Sequence, residues 1–174
     1  PPGANGLLFQ PYLLGERAPL WDAEASGSFL GLQRHHTEKE MMRAILEGIC
    51  LNLKRILEGI CQEGQLSELR ATGGFARSYV FRQLMADVLG YPLVFPAVSE
   101  ASALGAVFLG WQSLGKIKEL NEGKKWIKLE TQVPVQKNIH EIYEIIYPTF
   151  VDTQQQLTST YKRLAHLRQS LART

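Results

Sequence analysis

Two adjacent glycines, Gly73 and Gly74, lie between a short apolar segment and a run of residues with helical spacing. Glycine has no Cβ atom, so this pair permits positive φ angles and lets a ligand approach the main chain directly. A helix starting at Ser78 would turn its free N–H groups and the positive end of its dipole towards the glycines. An anionic charge at such an exposed site is stabilised by about 0.3 to 1 kcal/mol. The pattern predicts phosphate binding, although the same turn also serves to pack a helix closely on a sheet.

The elements around this turn alternate between strand and helix. After the glycines, the predicted helix ends at Gly90, a strand follows at Leu93 to Phe95, and Ser99 with Glu100 opens another helix. This order predicts an α/β layered domain. The dinucleotide fingerprint Gly-x-Gly-x-x-Gly is absent, so a dinucleotide site of that type is not expected.

A charged loop joins two predicted strands in the N-terminal part, at Leu7 to Leu14 and Phe29 to Leu32. The loop carries Glu16, Arg17 and Asp22, and its setting suggests a sheet edge near a cleft. We expect Arg17 to pin the loop through a salt bridge with Glu16 or Asp22. Acid–base catalysis by these three residues is the less favoured alternative.

A long helix is predicted from the capping box of Thr37 and Glu40. Gly48 and Gly59 weaken this helix and are expected to let another element approach it. Its apolar stripe is predicted at Met42, Ile45, Ile49, Leu53, Ile56 and Ile60.

The C-terminal part begins with an alternating segment, Trp126 to Val135, which predicts an edge strand or an extended crossing. Asn138 and Glu141 open a last helix that is expected to break or kink at Pro148. The apolar stripe beyond it packs either on its own domain or on a second copy in a homodimer. That stripe comprises Leu157, Tyr161, Leu164 and Leu171.

Composition narrows the class of protein. With 174 residues, 45% of them hydrophobic, and a formal net charge of +2, the chain is predicted to fold as one domain over residues 1–174. Nucleic acid is not an expected partner. No apolar run approaches the about 20 residues of a membrane helix, so neither a membrane span nor a location outside the cytoplasm is expected.

The remaining reactive side chains point to structural roles. Cys50 and Cys61 lie too far apart on one predicted helix to pair, and we expect buried, reduced thiols. Glu47 and Asp87 are expected to be buried hydrogen-bonding groups. No metal site is predicted, and the four histidines, at positions 35, 36, 140 and 166, are expected at the surface.

Several motifs occur in a fixed order along about residues 5 to 165. They are PYLLGERAPLWD at 11–22, GSFLGL at 27–32 with its extension through 40–47, TGG at 72–74, and the pair QLMAD at 83–87 and EASALGA at 100–106. Together they resemble the FGGY carbohydrate kinases, and the chain is similar to the C-terminal domain of that family.

The resemblance implies a fold and a ligand. Family members are similar to actin and hexokinase, with two ribonuclease-H-like α/β domains that close over sugar and ATP, so a mixed sheet with flanking helices is expected here. By position, Gly73, Gly74 and Phe75 would contact the adenosine and phosphates of ATP. Ser78 would stand at the helix start, and Glu100 would cap its helix nearby. Phosphoryl transfer also requires Mg²⁺.

The catalytic base is not among these residues. The resemblance implies that it belongs to an N-terminal domain, which would be the partner of this chain within the same kinase. We therefore expect this chain alone to be inactive. Glu16 and Arg17 are the candidates for the side of the cleft that binds the acceptor.

The acceptor is implied by the wording of the 11–22 motif, which looks closer to family members that phosphorylate gluconate than to those that phosphorylate xylulose. A sugar acid needs a cation near its carboxylate, and Arg17 is one candidate. Xylulose or another pentulose or polyol is the alternative acceptor. A non-catalytic, actin-like nucleotide-binding or assembly module is the alternative of a different class.

Overall fold

A computed structural model describes residues 1–61, 66, 68–97, 100–130 and 132–172 of the chain. The chain forms two compact units. The first comprises Pro1–Gln65, Asp87–Gly90 and Gln136–Thr174, and the second comprises Leu66–Ala86 and Tyr91–Val135. The chain contains both strands and helices, which confirms the expected α/β composition. In the part of the chain that the model describes, no helix is long and apolar enough to cross a membrane.

The first unit opens with a short 3-10 turn at Ala4–Gly6 and an antiparallel strand pair. Strands β1 (Leu8–Gln10) and β2 (Ser28–Leu30) are paired so that Phe9 faces Phe29, with ring centroids 4.7 Å apart. Both strands are shorter than predicted. β1 ends before Pro11, which has no N–H to donate, and β2 ends before a glycine with positive φ.

Helix α1 (Glu38–Ile60) begins at the predicted capping box. The Thr37 hydroxyl accepts a hydrogen bond from the Lys39 N–H at 3.3 Å, and the Glu40 carboxylate accepts one from the Thr37 N–H at 2.9 Å. Two of the free N–H groups at the helix start are thereby satisfied, which confirms the predicted start.

The buried face of α1 differs from the predicted apolar stripe. Met42, Ile49 and Ile60 are exposed. Small and polar residues are buried in their place, because the helix lies closely against β1 and its buried polar groups are hydrogen-bonded. The buried set is Ala44, Glu47, Gly48, Cys50, Leu51, Asn52 and Lys54.

Gly48 allows the close approach of α1 to β1. A Cβ atom at this position would overlap the Phe9 carbonyl oxygen and would lie 3.0 Å from the Phe9 carbonyl carbon. The prediction for Gly48 is therefore confirmed. The same prediction for Gly59 is wrong, because a Cβ atom there would meet no atom within 4 Å.

Helix α4 (Lys137–Leu171) is one continuous element with Pro148 inside it, so the expected break does not occur. An internal proline costs about 3 kcal/mol. Fully buried side chains on both sides of it, Tyr143 and Phe150, hold the helix against the first unit. Farther along, Tyr161 is buried beside Tyr12, whereas Leu164, Leu167 and Leu171 are exposed.

The second unit contains a parallel strand pair, β3 (Leu69–Arg70) with β4 (Leu93–Val94). In the chain, helix α2 (Tyr79–Leu89) lies between these strands, as a parallel connection requires. Helix α3 (Ala101–Ser113) and a 3-10 turn at Leu120–Trp126 follow.

The predicted extended crossing after this turn is confirmed. The Val133 N–H donates to the Leu93 carbonyl at 2.8 Å, and Leu129 forms an isolated bridge with Pro96. The segment therefore runs along β4 without forming a regular strand.

Candidate functional site

The glycine turn has the predicted sequence of elements. β3 ends at Arg70, and the Ala71 N–H still donates to the Val94 carbonyl at 3.1 Å. Gly73 then adopts a φ of 115°, which side chains other than glycine rarely tolerate. A 3-10 turn at Gly74–Arg77 leads into α2.

The surface at Gly74 is open. Apart from its chain neighbours, no atom of the described residues lies within 4 Å of a Cβ atom built on Gly74, and Gly74 is not among the residues with positive φ. Among the described residues, neither packing nor backbone conformation requires glycine at this position.

Ser78 is the N-cap of α2. Its hydroxyl accepts a hydrogen bond from the Phe81 N–H at 3.3 Å, and its carbonyl accepts one from the Arg82 N–H at 2.9 Å. Ser78 thus stands at the start of α2, as predicted, and its side chain caps the helix. A contact of Ser78 with nucleotide stays a prediction.

Glu100 is the N-cap residue of α3, as predicted, but its carboxylate accepts no capping hydrogen bond from the helix. The carboxylate faces Arg77 at 3.4 Å instead, and both side chains are more than two-thirds exposed. An exposed pair of this kind contributes about 0 to 1 kcal/mol, and it brings Glu100 beside the glycine turn. The Phe75 side chain and Ser99 lie outside the described residues.

The second candidate region is the loop of residues 13–22 in the first unit. Its ends are joined by two hydrogen bonds of 2.9 Å between the main chains of Glu16 and Asp22. Gly15 has a φ of 74°, and a Cβ atom there would lie 2.8 Å from the Ala23 carbonyl oxygen. The base of the loop is thus tightly closed and requires glycine.

The outer part of this loop exposes large apolar side chains. Leu14 is 99% exposed and Trp21 is 79% exposed, and Trp21 has a φ of 51°. A bulky residue in this left-handed region is strained, and such strain is concentrated at functional sites.

Glu16 is held by two partners, one on each carboxylate oxygen. Its Oε1 accepts the Arg17 N–H at 2.8 Å, and its Oε2 accepts the Asn52 amide at 2.9 Å. Asn52 lies on α1 and in turn accepts the Tyr12 hydroxyl at 3.3 Å. Sequence reasoning missed Asn52, and the available signal was an amide one helical turn from the buried Gly48.

The predicted salt bridge of Arg17 is wrong. Among the residues that the model describes, no ion pair involves the Arg17 side chain, which is exposed. The Glu16 carboxylate binds the Arg17 N–H and the Asn52 amide, and Asp22 Oδ1 accepts the Glu24 N–H at 2.9 Å. The carboxylates of the loop therefore bind main-chain and amide N–H groups and leave the guanidinium without an anionic partner.

Glu47 and Asp87 are buried hydrogen-bonding groups, as predicted. The Glu47 carboxylate accepts Arg43 Nε at 2.7 Å and the Tyr143 hydroxyl at 2.8 Å. Asp87 accepts the Gln136 N–H at 2.8 Å, just before α4 begins. Both carboxylates thus join elements of the first unit.

The histidines differ in their surroundings. His35 and His166 are exposed, as expected. His36 is partly buried, with Nδ1 2.9 Å from the Gln33 N–H that it accepts. His140 is also partly buried, and its Nδ1 lies 2.8 Å from the Asp87 carbonyl oxygen. Within the described ranges, no three His, Cys, Asp or Glu side chains form a group that would hold a metal ion.

Comparison with known proteins gives a consistent result. Residues 1–113 match the model of the C-terminal domain of the FGGY family of carbohydrate kinases. The chain is 40% identical to a gluconokinase of Bacillus licheniformis over 98% of its own length and 34% of the relative's. It is 33% identical to a xylulose kinase of Staphylococcus epidermidis, over 85% of this chain and 30% of that protein.

Two solved structures from Lactobacillus acidophilus share its fold. A ligand-bound xylulose kinase superposes with a TM-score of 0.86, and a gluconate kinase superposes with a TM-score of 0.85. Each is 34% identical to this chain and matches 94% of it, while the chain covers 34% of each structure. The chain thus spans about a third of the length of these relatives.

Proposed function

Because the chain belongs to the FGGY family of carbohydrate kinases, we propose that it is the nucleotide-side, C-terminal part of an ATP-dependent kinase that converts gluconate to 6-phosphogluconate. The observation that carries the choice of acceptor is the 40% identity to a gluconokinase along nearly the whole chain. The fold proposed for the complete domain is the ribonuclease-H-like fold of actin and hexokinase, with a mixed sheet between helices.

The nucleotide half of the site is assigned to the glycine turn. Gly74 offers an open stretch of main chain, and the first N–H groups of α2 follow directly after the Ser78 cap. These features favour the phosphates and adenosine of ATP. Phe75 and Glu100 complete this half by their position in the sequence.

Binding of the acceptor is assigned separately, to the 13–22 loop of the first unit. Arg17 presents a planar guanidinium that suits a carboxylate in a bidentate geometry. Glu16 supports the Arg17 main chain through the hydrogen bond of 2.8 Å. Arg17 would thus bind the carboxylate of gluconate and orient the chain of hydroxyl groups, whereas a neutral sugar would offer the guanidinium only weaker, uncharged acceptors.

The remaining parts of the reaction are assigned elsewhere in the kinase. The base that removes the proton of the acceptor hydroxyl would come from an N-terminal domain of the same polypeptide. Magnesium, when bound with ATP, neutralises the charge that develops on the transferred phosphoryl group. We assign it no ligand among the described residues, which contain no suitable cluster.

Xylulose is the second candidate acceptor. The ligand-bound xylulose kinase superposes as well as the gluconate kinase does, with TM-scores of 0.86 and 0.85. Backbone similarity therefore favours neither acceptor, and the choice depends on measured turnover of the two sugars.

The test is a coupled assay of ADP release by the full-length polypeptide, with gluconate and with xylulose. We expect a higher kcat/KM with gluconate, and an Arg17→Gln variant in which the KM for gluconate rises at least about tenfold, as loss of a hydrogen-bonded charge predicts. Faster turnover of xylulose would reject the proposed acceptor. An unchanged KM in the variant would reject the assignment of Arg17.

A further inference from the structure

A series of hydrogen bonds leads from the core of the first unit to the exposed loop. The Tyr12 hydroxyl donates to Asn52 Oδ1 at 3.3 Å, and Asn52 Nδ2 donates to Glu16 Oε2 at 2.9 Å. Glu16 Oε1 then accepts the Arg17 N–H at 2.8 Å. The series therefore ends on the main chain of the residue whose side chain has no ion-pair partner among the described residues.

The inner end of this series is buried. Tyr12 is fully buried, and Asn52 is 7% exposed on the 23-residue helix α1. Burial raises the pKa of Tyr12 to about 12, so its hydroxyl keeps its proton and acts as the donor. Because the hydroxyl occupies the amide oxygen, the amide nitrogen of Asn52 is directed at Glu16.

The outer end depends on Asn52. Glu16 would otherwise be an exposed carboxylate beside an exposed arginine, and the two would form a direct ion pair at little cost. The amide of Asn52 draws the carboxylate towards α1, where it binds the Arg17 main chain and not the guanidinium. The result is a loop whose acid supports the backbone while the cation is left for a ligand.

We propose that Asn52 is a positioning residue for acceptor recognition, which holds Glu16 on α1 and so presents Arg17 to the carboxylate of a sugar acid. This inference rests on the proposed function, because only an acidic acceptor offers the guanidinium an anionic partner. Asn52 itself touches neither substrate.

The decisive variants are Asn52→Asp and the double variant Asn52→Asp with Glu16→Gln, in the full-length polypeptide. The single change places two carboxylates side by side, and their repulsion moves the Glu16 side chain away from α1. The double change restores the bond with reversed polarity, since the glutamine amide introduced at position 16 donates to the new carboxylate and its oxygen still accepts the Arg17 N–H.

The single variant is expected to raise the KM for gluconate about tenfold, the lower limit for a hydrogen bond to a charged group. Its kcat and its KM for ATP should stay within about twofold of the parent, and the double variant should recover most of the gluconate affinity. Calorimetric titration of gluconate gives the same comparison without turnover. A general structural defect would lower kcat as well and would not be rescued.

A second pair of variants guards against a folding defect in the first. Tyr12 and Tyr143 are both fully buried, and the hydroxyl of each is bonded to a side chain on α1. Tyr12→Phe should raise the KM for gluconate about threefold, a typical loss for one neutral hydrogen bond, and Tyr143→Phe should not.

The inference is overturned if Asn52→Asp keeps the parental KM, if Glu16→Gln fails to rescue it, or if the two tyrosine variants behave alike. Failure of the proposed function has a different signature, because the unmodified polypeptide would then phosphorylate no sugar acid.

Discussion

Replacing Gly48 by alanine tests how α1 is held against β1, on which the geometry of the 13–22 loop depends. A Cβ atom at Gly48 would overlap the Phe9 carbonyl oxygen and approach the Phe9 carbonyl carbon to 3.0 Å. The obstacle is main chain within a paired strand, so it cannot rotate away as a side chain would. The helix and the strand must separate instead.

The expected magnitude follows from two opposing effects. Forcing a methyl group into a packed core costs about 1 to 3 kcal/mol, and an immovable carbonyl places Gly48→Ala at the upper end. Alanine favours the helix over glycine by about 1 kcal/mol. The free energy of unfolding should therefore fall by about 2 kcal/mol in Gly48→Ala.

Gly59→Ala is the matched control, because Gly59 lies on the same helix with no atom within 4 Å of a built Cβ. Only the helix preference acts there, so this variant should gain up to about 1 kcal/mol. The assay is urea denaturation of the 174-residue chain followed by circular dichroism. Equal midpoints for the two variants, or a more stable Gly48→Ala, would refute the proposed close contact.

Three further predictions concern stability and reactivity. Burial raises the pKa of Tyr12 from 10.0 to about 12. The neutral hydroxyl therefore contributes its full share to the free energy of unfolding below pH 10, and this share is lost as the pH rises to 12. Urea midpoints measured between these pH values should fall less steeply in Tyr12→Phe than in the parent. Thr37→Ala removes the N-cap of α1 and should lower the free energy of unfolding by about 1 kcal/mol, and a variant as stable as the parent would contradict the capping geometry. Burial raises the pKa of the Cys50 thiol to about 12, whereas Cys61 is partly exposed. Maleimide at pH 8 should therefore label Cys61 in the native chain and Cys50 only after unfolding. Peptide mapping of the labelled chain measures this difference.

The sequence predicted those elements whose ends are fixed by capping hydrogen bonds or by a glycine conformation. The capping box of Thr37 and Glu40, the glycine turn at Gly73, and the cap at Ser78 satisfy N–H groups or permit a positive φ within a few residues. Such requirements are written in adjacent residues, so the sequence alone indicates them.

The buried face of α1 depends on packing between residues distant in the sequence, and the sequence did not indicate it. Apolar spacing on α1 predicted Met42 and Ile49 in the core, but the close approach of β1 at Gly48 rotates smaller residues inwards. Asn52 was missed because a polar residue on a helix is usually exposed, and its burial depends on Tyr12, 40 residues away.

Arg17 was expected to pair with a neighbouring carboxylate, as charge spacing in the loop suggested. The actual partners of Glu16 are a helix amide and a main-chain N–H, which no pattern of adjacent charges contains. Tertiary contacts therefore removed the salt bridge expected of Arg17, whereas its role as a candidate for acceptor binding stays a prediction.

The most direct test of the central claim is the affinity of the full-length polypeptide for ATP when Gly74 is replaced by valine. Gly74 has no steric neighbour within 4 Å, so valine should leave the fold intact and obstruct only a ligand lying on the main chain. We expect calorimetry to show a large loss of ATP affinity in Gly74→Val and none in Gly59→Val, since Gly59 has the same open surroundings among the described residues. Equal ATP affinity in the two variants would contradict the assignment of the glycine turn as the nucleotide half of a sugar-kinase site.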